Sequence, residues 1–87
     1  MTPQEIEQKV IEIAANKFSA DASKITGDTR LADDLGVDSF GAVELVFELE
    51  ENFGLKIPDS DISQIRTISD IVVYLVTWLS KNGTPKA

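Results

Sequence analysis

The 87-residue chain is 43% hydrophobic and carries a net charge of −7, enough length and apolar content for one folded domain and too little for two. It has neither Cys nor His, which excludes disulfides, thiolate nucleophiles and the usual soft metal ligands, and removes the side chain most used as a general base near neutral pH. Residues 33 to 61 hold nine acids against one base, Lys56, so that segment is −8 and the remainder +1; nucleic acid and anionic membranes are poor partners for such a surface, and basic patches on other proteins are good ones.

Met1 is followed by Thr2-Pro3-Gln4-Glu5, with no basic start and no apolar run, so no signal peptide is expected. No stretch approaches the roughly 20 apolar residues of a membrane span. A soluble, cytoplasmic, monomeric domain over residues 1–87 is the expectation, with no nucleic acid bound and no stable membrane insertion. Thr2 and Glu5 form a T-x-x-E capping box with Pro3 at the first helical position, and Ile6, Val10, Ile13, Ala14 and Phe18 recur at helical spacing as far as Ser19. Residues 19 to 37 are polar, contain Gly27 and Gly36, and read as a long loop pinned by Ile25, Leu31 and Leu35. Ser39 to Phe53 reads as a second helix, capped by Asp38 and ended by Gly54. Pro58 keeps Ile57 extended, and Asp59 to Ile65 has room for one or two helical turns. Thr67 caps the last helix, with Asp70 in its first turn and Ile68, Ile71, Val72, Leu75, Val76 and Leu79 along its apolar face; Gly83 and Pro85 stop it. The fold class is all-α: a four-helix bundle of three longer helices and one short one, with a long loop after the first helix.

The second helix is the most informative element. At about 100° per residue, Ala42, Leu45, Val46, Leu49 and Phe53 cluster on a core face. Glu44, Glu48 and Glu51 fall on roughly the opposite side, and Phe40 and Phe47 lie beside them, about 40 to 60° from Glu44. Like charges at this spacing cost roughly 0.2–0.5 kcal/mol per pair, and Glu50 and Glu51 oppose the helix dipole. Either the long loop covers the two rings and the glutamates are merely solvated, or the face is a docking surface, with acids steering a basic partner and rings anchoring it. A calcium loop over residues 33 to 44 is rejected, because Leu35 and Val37 stand at the third and fifth positions and Asp38 replaces the sixth-position Gly.

The run from Asp34 through Leu35, Gly36, Val37 and Asp38 to Ser39 leads into Val43-Glu44-Leu45-Val46. Glu50-Glu51-Asn52-Phe53-Gly54-Leu55-Lys56-Ile57-Pro58 and Thr67-Ile68-Ser69-Asp70-Ile71 follow. This pattern resembles the acyl carrier protein family over nearly the entire chain. The resemblance implies a non-catalytic phosphoprotein in which Ser39 accepts 4′-phosphopantetheine from coenzyme A, with Gly36, Asp38 and Phe40 completing the attachment motif. It also implies that acyl intermediates ride as thioesters on the arm, whose thiol this Cys-free chain cannot itself supply. The implied partners are a phosphopantetheinyl transferase (holo-ACP synthase), which must provide the activating base and metal ion, and acyl-transferring and synthase enzymes with basic docking patches facing Glu44, Phe47, Glu48 and Glu51. The family usually has Leu after the serine, and fatty-acid carriers often an acid next; here these are Phe40 and Gly41. A specialised lipid or polyketide carrier is therefore as credible as a general fatty-acid carrier. Peptidyl carriers and unmodified structural modules are the competing classes.

Overall fold

A computed structural model describes residues 2–82. Five α-helices follow in order: α1 Pro3–Phe18, α2 Leu31–Leu35, α3 Ser39–Phe53, α4 Asp59–Ile62 and α5 Ile68–Asn82, with a 3₁₀ turn at Ala22–Lys24. Their starts are set by side chains that satisfy orphan helix donors. Thr2 Oγ1 accepts from Glu5 N–H at 3.1 Å while Glu5 Oε1 accepts from Thr2 N–H at 2.8 Å. At α5 the same reciprocity joins Thr67 and Asp70, with the Asp70 N–H on Thr67 Oγ1 and the Thr67 N–H on Asp70 Oδ2, both at 3.1 Å. Gly54 ends α3 in the left-handed region at φ 66°, where a side chain would be strained. The stop expected at Gly83 and Pro85 lies outside the described residues.

The core is one cluster. α1 contributes Ile6, Val10 and Ala14; α3 contributes Leu45, Val46, Leu49 and Phe53; α5 contributes Ile68, Ile71, Leu75 and Leu79. Each fully buried large aliphatic or Phe side chain contributes about 1.5–3 kcal/mol relative to exposure, so the bundle rests on this apolar seam rather than on the two exposed-to-half-buried ion pairs among the described residues. Of the expected core face of α3, Ala42 is only half-buried.

The all-α bundle with three long helices is as the sequence predicts. The segment 19–37 differs: it is not a plain loop but contains the 3₁₀ turn and α2. Asp34 Oδ2 accepts from Arg30 N–H at 2.7 Å across the first turn of α2, and Gly36 closes the helix at φ 68°. Ile25 and Leu31 are buried as anticipated, while Leu35 is only half-buried and Val37 takes the buried place. The segment is fastened to the start of α5 by an isolated antiparallel bridge between Arg30 and Thr67. Leu31 N–H donates to Arg66 C=O at 3.0 Å, Ile68 N–H to Thr29 C=O at 3.1 Å and Ser69 N–H to Gly27 C=O at 2.8 Å.

Candidate attachment site and docking face

Ser39 is the first residue of α3 and is exposed. Asp38 caps the helix from the preceding position, its Oδ1 accepting from Gly41 N–H at 2.8 Å. The serine hydroxyl therefore projects from a turn fixed by the cap in front and the core-facing residues behind. No base stands ready among the described hydrogen bonds, and Ser39 makes none with its side chain. Gly36 orients the approach, since its left-handed conformation turns the chain from α2 into the Val37-Asp38 connection, held by Val37 N–H on Leu31 C=O at 2.9 Å. Gly41 is tightly enclosed: a Cβ there would stand 3.3 Å from Asp38 Oδ1, 3.3 Å from Phe18 Cε1 and 3.4 Å from Val37 Cγ1. A Cβ at position 41 would thus crowd the Phe18 ring of α1 and the Asp38 carboxylate, which would have to give by a few tenths of an ångström.

Beside Ser39 runs a groove of about 710 Å³ walled by α2, the first turn of α3 and the 65–70 segment, including Arg30, Leu31, Val37, Ala42, Ile65 and Arg66. Leu31, Ala42 and Ile65 also border an apolar cavity completed by Leu45, Leu49, Ile62 and Ile71, with a volume of about 20 Å³. That is room for about one water molecule, so the interior as it stands has little free space.

The Phe40 and Phe47 rings of α3 are open to solvent rather than covered by the 19–37 segment. Phe40 is 72% and Phe47 63% exposed; no loop covers them. Val43, at 42% exposure, lies between them at i+3 and i+7 spacing and completes an apolar stripe that sequence reasoning missed, although its wheel position was readable. The acidic residues alongside are not equivalent. Glu51 is exposed and Glu48 half-buried. Glu44 Oε1 lies 3.7 Å from Lys17 Nζ of α1, so the acidic stripe is partly balanced by a base from another helix. Glu50 is structural: its Oε2 accepts from Ile57 N–H at 2.8 Å, providing the donor after α3 with a partner.

A family model described as "Phosphopantetheine attachment site" matches residues 8–75. The acyl carrier protein of Rickettsia canadensis (strain McKiel) is 45% identical over 74 residues, covering 85% of this chain and 86% of that protein. That of Rickettsia prowazekii (strain Madrid E) is 43% identical over the same length and coverage. Among solved structures, the acyl carrier protein from Enterococcus faecalis superposes with a TM-score of 0.75 at 40% identity, covering 88% of this chain and 98% of that one. With the helical fold, the family model and relatives of this identity in agreement, the chain belongs to the acyl carrier protein family, whose members are non-catalytic carriers of covalently attached 4′-phosphopantetheine.

Proposed function

We propose that Ser39 is the attachment residue and that the protein, as a single cytoplasmic domain over residues 1–87 and a monomer, delivers acyl intermediates to enzymes of fatty acid, specialised lipid or polyketide assembly. The observation that carries this reading is an exposed serine held by the Asp38 cap at the start of α3, on the lining of a groove of about 710 Å³. The residues fit the group: the hydroxyl is accessible, and the groove combines apolar side chains of Leu31, Val37 and Ile65 with polar ones as an amide-containing chain requires. When bound, the arm supplies the thiol on which acyl groups are held as thioesters.

Attachment needs an outside enzyme. The Ser39 oxygen forms a bond to phosphorus of coenzyme A, the adenosine bisphosphate half leaves, and the serine proton passes to a base. The chain has no His, so the transferase supplies that base and the metal ion. The exposed stripe of Phe40, Val43 and Phe47, bordered by Glu44, Glu48 and Glu51, is the surface proposed for the transferase and synthases: an apolar centre with an acidic margin suits a partner with a basic rim. Gly36, Asp38 and Phe40 shape the approach to Ser39.

The test is intact mass after incubation with coenzyme A and a broad-specificity phosphopantetheinyl transferase, followed by peptide mapping. The expected result is one phosphopantetheine per chain on Ser39, and none on Ser39→Ala with helicity retained. Modification that persists in Ser39→Ala overturns the assignment.

A further inference from the structure

The chain's only two arginines, Arg30 and Arg66, are brought together by the fold. Arg30 is one partner of the antiparallel bridge and Arg66 precedes the other, Thr67, with Leu31 N–H donating to Arg66 C=O. They hold matching positions, the N–H of each donating to an aspartate four residues ahead: Arg30 to Asp34 at 2.7 Å and Arg66 to Asp70 at 3.0 Å. Both line the groove that Ser39 borders. Three carboxylates line it too, and each is engaged. Asp38 accepts from Gly41 N–H, Asp70 from Arg66 N–H and Thr67 N–H, and Asp33 from Arg30 Nη1 at 3.1 Å. The Arg30–Asp33 pair is exposed and therefore weak and exchangeable. The Arg66 guanidinium has no hydrogen-bond or ion-pair partner among the described residues.

This arrangement meets an electrostatic demand that modification of Ser39 creates. A phosphodiester on the Ser39 oxygen adds a negative charge next to the Asp38 carboxylate, within the segment that already carries −8. The Gly41 N–H, one donor the helix start could have offered, is already taken by Asp38. A guanidinium is the group best matched to phosphate, because its planar fork gives two parallel N–H donors. We infer that Arg66, assisted by Arg30, forms the seat for the phosphodiester of the arm on Ser39, balancing its charge and directing the start of the arm into the groove. This rests on Ser39 being the attachment residue.

Two arginines give two Nε–Hε signals in a ¹H–¹⁵N NMR spectrum, assignable with Arg30→Lys and Arg66→Lys. The spectrum is compared for the unloaded protein and for the loaded protein whose single modification has been verified by mass. The expected result is a shift of the Arg66 signal on loading. Its Nε–Hε exchange with water should slow by about two- to fivefold, the range an exposed ion pair supports, and this should diminish at high salt. The ³¹P signal of the loaded protein should move in Arg66→Gln and return towards wild type in Arg66→Lys. If the protein loads normally while both arginine signals and the ³¹P signal stay unchanged, the phosphate seat is overturned and Ser39 attachment stands. A change in the Arg66 signal only when a synthase is added also overturns it, assigning the guanidinium to a partner's carboxylate instead. Failure of the wild type to load overturns both readings.

Discussion

Tyr74 donates its hydroxyl hydrogen to Asp61 Oδ2 at 2.7 Å, joining the middle of α5 to the four-residue helix α4. α4 has no side-chain cap of its own, and its Ile62, with Ile65 just beyond it, forms one wall of the small apolar cavity. This is the side-chain hydrogen bond that ties α4 to another helix among the described residues. Hydrogen bonds to charged groups contribute about 1.5–3 kcal/mol, less where water competes. Tyr74→Phe is therefore expected to cost about 1 kcal/mol, a fall in Tm of roughly 4–8 °C for a domain of this size. Faster amide exchange in the 59–65 segment should accompany it.

The same bond has a pH signature. Burial of the phenol first, and then its hydrogen bond to the Asp61 carboxylate, push the Tyr74 pKa up from 10.0 to about 12. Folding thus favours the protonated phenol, so this stabilisation is complete below pH 10 and is lost as pH rises towards about 12. Denaturant melts of wild type and Tyr74→Phe should differ at neutral pH and converge across that alkaline window. A difference that stays constant across that window would mean that ionisation of the phenol does not govern the effect of the hydroxyl.

Glu50 and Glu51 are neighbours with opposite consequences. Glu50→Ala removes the acceptor for Ile57 N–H, and a part-buried donor left unsatisfied costs about 1–3 kcal/mol. Glu51→Ala removes only an exposed charge from an acidic stripe near a helix C-terminus, where it is unfavourable; its melting temperature should be unchanged or slightly raised. Chemical denaturation of the pair gives the comparison.

Docking should separate steering from anchoring. Reversing Glu48 or Glu51 is expected to slow association with a transferase or synthase, with an effect that shrinks as salt rises. Phe47→Ala should instead speed dissociation with little salt dependence and, because the ring is exposed, leave Tm nearly unchanged. Burial of a Phe is worth about 1.5–3 kcal/mol, so a loss of about tenfold or more in affinity is expected if the ring is central. Glu44 is a poorer probe, since its reversal also sets a second lysine against Lys17.

Gly41 couples to Phe18 across two helices. Ala in a helix interior is favoured over Gly by about 0.5–1 kcal/mol, but here the new Cβ meets Asp38 and the Phe18 ring at 3.3 Å. Gly41→Ala alone should be close to neutral. In a Phe18→Ala background, with the ring gone and only the Asp38 and Val37 contacts left, the same change should be more favourable than in the wild type, by at most about 0.5–1 kcal/mol. Four melting curves complete the double-mutant cycle, and additivity would remove the proposed crowding.

What could be read without coordinates was local. The Thr2–Glu5 box, the Thr67 cap, the Asp38 cap and the Gly54 stop each depend on residues within one helical turn, and all are present. α2 was not legible, because five residues are too few for a helical period to repeat. Nor were the contacts made between elements: Glu50 with Ile57, Tyr74 with Asp61, Lys17 with Glu44 and Phe18 against Gly41. Each pairs residues whose proximity exists only after the helices have packed. The exposure of Phe47 was half legible: its angle on the helix placed it off the core, but only the path of the 19–37 segment reveals that nothing lies over it.

The bridge between Arg30 and Thr67 also has a kinetic meaning. It closes a loop containing α2, α3 and α4, and bringing such distant ends together costs on the order of 3 kcal/mol of chain entropy before the bridge's few hydrogen bonds return anything. The helices can form in microseconds from contacts within their own turns. The bridge is consequently a late event in folding, and the wall of the groove beside Ser39 is assembled only once the bundle behind it already exists.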